Sequence, residues 1–177
     1  MAIATRRVSL RLALSYLMIV FLTAMLAGSN TGAATNIAGS YDLRGGVFTL
    51  STADGNISGS YQGQASISSS DRVTTSLDMI VTGGTNLFAG ATGTITGDGT
   101  GAAFVGEGSF SISLRGSVST TGDPSGFRVR GKISGTSSLS CANTVASATL
   151  DGDGSLGKLG DGHATFTHVV GGLGCNP

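Results

Sequence analysis

Hydrophobic and polar residues alternate with a period of two along the segment Phe104–Val118. From Gly106 onward every even position holds glycine or an apolar residue, and every odd position holds serine, glutamate or arginine. Successive side chains of a β-strand point to opposite faces, so this period predicts one long strand with a buried and a solvated face. The predicted buried side chains are Phe104, Phe110, Ile112 and Leu114, and the predicted solvated ones are Glu107 and Arg115.

The same alternation recurs in three other parts of the chain, which predicts further strands. The predicted buried faces are Val73, Thr75, Leu77, Met79 and Val81, then Phe127, Val129, Gly131, Ile133 and Gly135, and finally Phe166, His168 and Val170. Residues that favour turns separate these segments. The predicted turns are Asp54–Asn56, Ser70–Arg72, Gly97–Gly99, Gly122–Pro124 and Asp151–Gly154. The pattern is typical of an all-β domain with eight or nine antiparallel strands.

Glycine on the predicted buried faces favours a barrel over a sandwich. Gly108 and Gly116 stand where a sandwich would place bulky residues, and interior glycine permits the coiling of a small barrel. Closure also removes exposed strand edges, so we predict one closed or nearly closed antiparallel barrel. A β-solenoid is the alternative, because Gly-x-Ile-x-Gly occurs at Gly93–Gly97 and Gly131–Gly135, although without a fixed period. Polar outward faces and scarce aromatic residues disfavour an outer-membrane barrel.

The beginning of the chain has the layout of a secretory signal peptide. Three arginines within the first eleven residues precede the apolar run Leu12–Ala27, and small residues follow it. The run is shorter than the ~20 residues that usually span a bilayer. We predict a signal peptide over residues 1–34, with cleavage after Ala34 preferred over Ser29, and one barrel domain over residues 35–177. The mature protein is then secreted, extracellular or periplasmic, with no stable membrane span.

Charge argues against nucleic acid as a partner. Without the three arginines of the predicted signal peptide, seven basic and ten acidic residues remain. Such a mildly acidic domain lacks the overall attraction that nucleic acids and anionic membranes require. Arg128, Arg130 and Lys132 form a basic cluster at alternate positions of one strand. We interpret this cluster as a solubilising strand face, with an anion-binding stripe as the alternative.

Cys141 and Cys175 are the two cysteines of the chain, and both lie in the predicted exported part. In an oxidising compartment, an even pair of cysteines predicts a disulfide. The bond would close a loop of about 35 residues and would stabilise the fold by roughly 3–4 kcal/mol.

Few residues suggest catalysis. His163 and His168 lie five positions apart, so on one strand they face opposite sides and cannot act as a pair. His168 shares the predicted buried face of Phe166 and Val170, and we interpret it as a structural interior histidine. The alternative role for His168 is as a ligand-binding residue or a base in a pocket. The sequence predicts no catalytic residue, no metal site and no cofactor.

The segment Asp151–Ser155 resembles the opening of a calcium-binding loop. Leu156 and Gly162 replace the glycine and the glutamate that an EF-hand requires at those positions. We therefore predict a plain turn. The alternative is a calcium site formed by Asp151, Asp153 and Asp161.

The segment Thr82–Gly97 resembles the GGTGxFxGAxG motif of the allene-oxide-cyclase-like and dirigent-like barrels and of small secreted bacterial proteins related to them. The matching residues are Gly83, Gly84, Thr85, Phe88, Gly90, Ala91 and Gly93, whereas Asn86 stands in place of the usual glycine. The resemblance implies an eight-stranded antiparallel barrel that is often oligomeric. In this motif Gly83 and Gly84 would turn the chain, Phe88 would plug the barrel, and Gly93 would relieve crowding. No catalytic residue of the plant enzymes matches a position here, so the resemblance implies no activity.

These observations leave two functional hypotheses. The first is a secreted, non-enzymatic barrel that binds a small apolar ligand or a partner, or that assembles into a homo-oligomer at the cell surface. The second is a cyclase or isomerase that uses the barrel lumen as its site, and it depends on fold resemblance alone. A lumen filled by side chains would favour the first hypothesis. A cavity in the ~300–1,000 Å³ range near His168 would favour the second.

Overall fold

The computed structural model describes residues 38–68, 72–102, 106–142 and 145–173. The elements are β1 (Gly39–Thr52), β2 (Gly55–Ile67), β3 (Arg72–Gly84), a 3-10 turn (Asn86–Phe88), β4 (Thr92–Ala102), β5 (Gly106–Ser119), β6 (Phe127–Ala142), β7 (Val145–Ser155), a second 3-10 turn (Gly157–Leu159) and β8 (Asp161–Gly171). The predicted signal peptide and both candidate cleavage sites lie outside the described residues. In the part of the chain that is described, no helix has the length and apolar character needed to cross a membrane.

The eight strands form one closed antiparallel barrel. Each strand pairs with its neighbours in the sequence, and β1 also pairs with β8, for example through Phe48 and Phe166. The prediction of an all-β antiparallel barrel is therefore confirmed with eight strands, and the solenoid alternative is wrong. Closure gives every one of these strands a hydrogen-bonding neighbour on both sides.

The alternation along β5 places its side chains as predicted. Phe110, Ile112 and Leu114 are buried in the lumen, and the exposed fraction of each is 6% or less. Glu107 and Arg115 are exposed on the outer surface. Phe104 lies outside the described residues, so its predicted burial stays a prediction.

Close strand approach explains a glycine on the buried face of β5. A Cβ atom built on Gly116 would lie only 2.6 Å from the Cα atom of Ile95 on β4. Side chains cannot occupy that space without moving the backbone of the neighbouring strand. The small residue thus lets the barrel wall curve tightly, as the sequence predicts.

Two of the predicted turns are wrong. Gly97–Gly99 lies inside β4, and Asp151–Gly154 lies inside β7. In both segments the glycines fall on the inner face, where neighbouring strands approach closely, and the aspartates point outward. The predicted turn at Gly122–Pro124 does connect β5 to β6. The predicted turn at Asp54–Asn56 overlaps the β1–β2 connection only at Asp54, because β2 begins at Gly55. The predicted turn at Ser70–Arg72 falls between β2 and β3, but residues 69–71 lie outside the described residues.

The two ends of the barrel are built differently. At one end, named here the closed end, segments 53–54, 85–91, 120–126 and 156–160 join the strands. Phe88, Leu156 and Leu159 from these segments are buried in the core. The other end, named here the mouth, carries the β2–β3, β4–β5 and β6–β7 junctions and the end of β8. Side chains thus cap one end of the lumen.

The motif around Phe88 behaves largely as predicted. Phe88 is buried and packs against Phe127, with ring centroids 6.0 Å apart. At Gly93, which has a φ of 149°, a Cβ atom would lie 2.9 Å from the Cα atom of Val118, so the predicted relief of crowding is confirmed. The predicted turn at Gly83 and Gly84 is wrong by position, because β3 continues through Gly84. The left-handed residues of the connection are instead Asn86, with a φ of 54°, and Gly90, with a φ of 69°.

Candidate functional site

A narrow cavity of about 110 Å³ opens at the mouth of the barrel. Inward-facing residues from all eight strands line it, because strand alternation brings every second side chain to the lumen. The wall is mainly apolar. Its aliphatic and aromatic side chains include Ile67, Val73, Phe110, Leu139, Leu150 and Val170. Nearer the closed end the lumen is filled by Leu50, Ile57, Ile95, Leu114 and Ile133, each at most 1% exposed.

A larger groove of about 920 Å³ crosses the outer surface of β1 to β4. Outward-facing polar residues such as Gln62, Gln64 and Asp78 line it, and an exposed ion pair joins Arg44 to Asp42 at 2.6 Å. This groove is a shallow, solvated part of the outer wall. The mouth cavity is the better candidate site, because it is mainly apolar and borders a partly buried titratable pair.

His168 lines the mouth cavity and contacts one polar partner. It lies on the inner face of β8 with Phe166 and Val170, where the sequence predicts it. Its Nδ1 atom is 2.6 Å from the hydroxyl oxygen of Tyr61 on β2. One hydrogen bond therefore links two strands that are not neighbours in the barrel. Either the tyrosine hydroxyl donates to Nδ1, or a protonated Nδ1 donates to the hydroxyl oxygen.

Glycine in β1 allows Tyr61 to reach across the intervening strand. Tyr61 is paired with Gly46 of β1. A Cβ atom on Gly46 would lie 2.6 Å from two ring carbons of Tyr61, so any larger residue would displace the ring. The register of β1 also shifts between Leu43 and Gly46, and Gly45 there has a left-handed φ of 59°. This bulge and its glycines set the position of the tyrosine hydroxyl.

Aromatic packing holds the pair in place. Phe166 lies against Tyr61 edge to face, with ring centroids 6.0 Å apart, and stacks on Phe48 at 6.4 Å. The rings of Tyr61 and His168 also meet edge to face at 5.8 Å. Such contacts add stability beyond the buried area alone. The histidine is thus fixed by ring contacts as well as by its hydrogen bond.

Burial keeps both members of the pair neutral. Desolvation lowers the pKa of His168 to about 4, because a charged imidazolium is disfavoured away from water. Desolvation also raises the pKa of Tyr61 above its ordinary value. At neutral pH the pair is therefore an uncharged tyrosine bound to an uncharged imidazole. Such a pair can hold a hydrogen bond, but neither group is poised to donate or remove a proton.

His163 lies on the outer surface, apart from His168, as the odd spacing predicts. Its Nδ1 atom is 2.9 Å from Asp153 Oδ1, and its Nε2 atom is 3.1 Å from Asp151 Oδ2. The hydrogen bond to Asp153 raises the pKa of His163, and the charge of Asp151 adds to this effect. Two of the three carboxylates of the candidate calcium site, Asp151 and Asp153, therefore contact an imidazole and lie on strand β7 instead of in a loop. The third, Asp161, is the first residue of β8. Across the described ranges, no cluster of three or more His, Cys, Asp or Glu residues is arranged to hold a metal ion.

Cys141 lies at the mouth end of β6. It pairs with Ala146 of β7, which in turn pairs with Val170 near the end of β8. Cys175, four residues after β8, lies outside the described residues, so the disulfide stays a prediction.

Tyr61 is the site residue that the sequence did not reveal. It has the alternate spacing of a buried residue between Gly59 and Gly63, but the period alone does not show which side chain it meets. Its contact with His168 depends on the register of β1 with both β2 and β8. That register is a property of the folded barrel.

No family model, curated protein or solved structure matches this chain. The resemblance of the Gly83–Gly93 segment to the allene-oxide-cyclase-like and dirigent-like barrels therefore stays a prediction.

Proposed function

We propose that this protein is an exported, non-enzymatic barrel that binds the tip of a small apolar ligand in its mouth cavity. The observation that supports the proposal is the cavity itself, which is open, mainly apolar and bordered by the neutral His168. Export is proposed from the arginine-rich and apolar pattern of residues 1–34.

The size of the cavity limits what can enter. A cavity of about 150 Å³ lined by Leu, Ile and Phe is large enough for benzene. The mouth cavity, at about 110 Å³, fits one small ring or the end of an alkyl chain, while the rest of the ligand stays outside. Each buried methylene group contributes about 0.8 kcal/mol. Four such groups give an affinity near the millimolar range, to which contacts with the rim would add.

Binding can be tested by titrating the protein with benzene and 1-octanol while recording amide NMR shifts. We expect shifts to concentrate at mouth residues such as Ile67 and Val170 and to be absent at the closed end. Ala148→Leu places a larger side chain on the cavity wall and should abolish them. Thr149→Leu introduces the same side chain on the outer face of the same strand and is the matched control.

Shifts spread evenly over the barrel, or equal shifts in the Ala148→Leu variant, would contradict the proposal. Sedimentation of the same samples measures whether the protein also assembles into a homo-oligomer.

A cyclase or isomerase remains the second candidate, and the Tyr61–His168 pair is the observation that favours it. The pair supplies two converging polar groups from different strands. Against it, both groups are neutral at pH 7, and the cavity is smaller than the ~300–1,000 Å³ usual for a whole substrate. We expect His168→Gln to retain benzene binding, because glutamine keeps polarity and approximate reach. A turnover assay that His168→Gln abolished in a folded barrel would favour the enzyme.

A further inference from the structure

Basic side chains gather on one outer face of the barrel. Arg128, Arg130 and Lys132 all point outward from β6 and are exposed. The register of β5 and β6 places Arg115 directly opposite Arg130. On either side of Arg115 on the outer face of β5, Ser117 lies opposite Arg128 and Ser113 lies opposite Lys132. Four positive charges therefore lie in two adjacent rows.

A fifth basic residue lies beside these rows. Lys158 is exposed on the second 3-10 turn, which packs against β6. A Cβ atom on the adjacent Gly157 would lie 2.7 Å from the carbonyl oxygen of Arg130. Five of the seven basic residues after residue 34 thus occupy one surface, named here the basic face: Arg115, Arg128, Arg130, Lys132 and Lys158.

The basic face is not neutralised by its surroundings. The ion pairs among the described residues use Arg44 and His163, and none includes a residue of the basic face. The nearest carboxylates in the strand register are Asp98, opposite Ser113, and Asp153, opposite Ser134. Asp161 lies opposite Ser155, the β7 residue that faces Lys132. Asp153 already contacts His163 at 2.9 Å. An anion from outside would therefore meet free guanidinium and ammonium groups.

The arrangement works against folding stability. Like charges directly opposite each other on neighbouring strands destabilise a sheet. Arg115 and Arg130 form such a pair although the exported part of the chain has more acidic than basic residues. Local departures from sequence–structure consistency of this kind are expected at functional sites.

We propose that the basic face binds an acidic polysaccharide. Basic residues at alternate positions of one strand lie about 7 Å apart. Arg128, Arg130 and Lys132 thus present a line of three charges about 13 Å long, which suits a linear chain with repeating anionic groups. Beside them on β5, Ser113 and Ser117 offer hydroxyl groups for the hydroxyls of sugars. Arginine also binds carboxylate and sulfate groups through two parallel hydrogen bonds.

Other polyanions fit this face less well. Peripheral membrane binding combines basic groups with apolar side chains that enter the bilayer. The exposed large apolar residues of the described chain are Val47, Ile80, Leu87, Val145 and Val169, and none lies on β5 or β6. Single-stranded nucleic acids need exposed aromatic rings for base stacking. No aromatic side chain points outward from the described parts of β5 or β6.

The proposal is tested by expressing the full chain and measuring the affinity of the purified protein for heparin and polygalacturonate at several salt concentrations. The test variant is Arg115→Gln/Arg130→Gln, which removes the facing pair. Arg44→Gln/Arg72→Gln removes the same number of charges from β1 and β3 and is the matched control. We expect the test variant to bind at least about tenfold more weakly and its salt dependence to be less steep, because fewer counterions are released. The control variant should bind like the unmodified protein.

Two further probes separate the alternatives. Vesicles containing phosphatidylglycerol and an oligothymidine are measured under the same conditions. Binding to neither polysaccharide would overturn the proposal, and so would equal weakening in both double variants. Stronger binding to the vesicles or to the oligothymidine would overturn it in favour of a membrane or a nucleic acid. Ala148→Leu, which alters the mouth, should leave polysaccharide binding unchanged, so this test is independent of the apolar ligand.

Discussion

Single residues decide how the candidate site is assembled. The ring of Tyr61 passes over Gly46, and its hydroxyl group then reaches His168 at 2.6 Å. A residue without a side chain on β1 thus allows a polar contact between β2 and β8. The surrounding rings bury the pair and keep it uncharged.

The two histidines are expected to titrate on opposite sides of the ordinary pKa of 6.5. Burial lowers the pKa of His168 to about 4, whereas the hydrogen bond to Asp153 raises the pKa of His163. The chain contains only these two histidines, so their ring C–H signals can be followed by NMR without overlap. The variant His163→Gln assigns the signals. Two indistinguishable titrations near pH 6.5 would show that the described contacts do not persist in solution.

His168 should make the fold sensitive to acid. Its pKa is about 4 in the folded protein and about 6.5 in the unfolded chain, so the unfolded chain binds more protons between these values. The free energy of unfolding therefore falls as the pH drops from about 6.5 to 4, by about 2 kcal/mol at pH 5. His163 acts in the opposite direction, because its pKa is raised in the folded protein. Its contribution to the free energy of unfolding is fully present below about pH 6.5 and is lost as the pH rises through its pKa in the folded protein. Solvent screening keeps that effect small.

Urea unfolding at pH 7.5 and pH 5 measures this effect. We expect most of the acid sensitivity to disappear in His168→Gln. An unchanged difference between the two pH values in that variant would assign the sensitivity to other groups.

Replacing Gly46 should disrupt the Tyr61–His168 contact. The new methyl group of Gly46→Ala would meet the tyrosine ring at 2.6 Å, and such overpacking typically costs about 1–3 kcal/mol. Displacement of the ring should also move the pKa of His168 toward 6.5. Gly122→Ala is the control, because a Cβ atom there has no neighbour within 4 Å. Equal stability of the two variants would mean that the ring does not lie over Gly46.

At the scale of single elements, inward glycine and outward aspartate can be mistaken for a turn. The segments Gly97–Gly99 and Asp151–Gly154 contain residues typical of turns, yet both lie inside strands. The glycines are needed where two strands approach closely. A Cβ atom on Gly152, for example, would lie 2.6 Å from the carbonyl oxygen of Ser134. Turn propensity is local, so it yields to the packing of the neighbouring strand.

The two faces of β5 should respond very differently to truncation. Phe110 is 6% exposed, and Phe110→Ala should lower the free energy of unfolding by about 3–5 kcal/mol, since a buried ring is removed. A value near the lower limit is expected, because Phe110 borders the mouth cavity. Ser113→Ala on the exposed face should change it by less than about 0.5 kcal/mol. Chemical denaturation measures both, and similar losses would mean that the register of β5 is shifted by one residue.

At the scale of the whole molecule, closure produces a barrel that side chains cap at one end, and a cavity opens among the described residues of the other end. Phe88, Leu156 and Leu159 fill the closed end, and the cavity that His168 lines lies at the mouth. The apolar ligand is proposed for the mouth and the polysaccharide for the outer wall. The two proposed sites therefore occupy different surfaces of the same barrel.

A disulfide between Cys141 and Cys175 should attach the C-terminal residues to the mouth end of the barrel. Loss of the bond in Cys141→Ser/Cys175→Ser should lower the free energy of unfolding by roughly 3–4 kcal/mol, as expected for a loop of about 35 residues. Thiol labelling of the native, unreduced protein should detect no reactive cysteine. Two labelled cysteines would refute the bond.

Residue order alone determined the buried and exposed faces of β3, β5, β6 and β8. The period of two is a local property of the chain, so Ile112 and Leu114 could be assigned to the core and Arg115 to the surface without knowledge of any neighbour. His168 could be placed on an inner face for the same reason. Glycine at positions such as Gly116 indicated close strand approach and favoured a closed barrel.

The tertiary structure alone decided which side chains meet. Tyr61 and His168 are 107 positions apart, and their contact depends on the bulge and register of the strand between them. Arg115 faces Arg130 because β5 and β6 pair in one register, and a two-residue shift would separate them. The size of the mouth cavity depends on how side chains from all eight strands fill a shared volume. Contacts and volumes of this kind arise only when distant segments pack together, so no local pattern contains them.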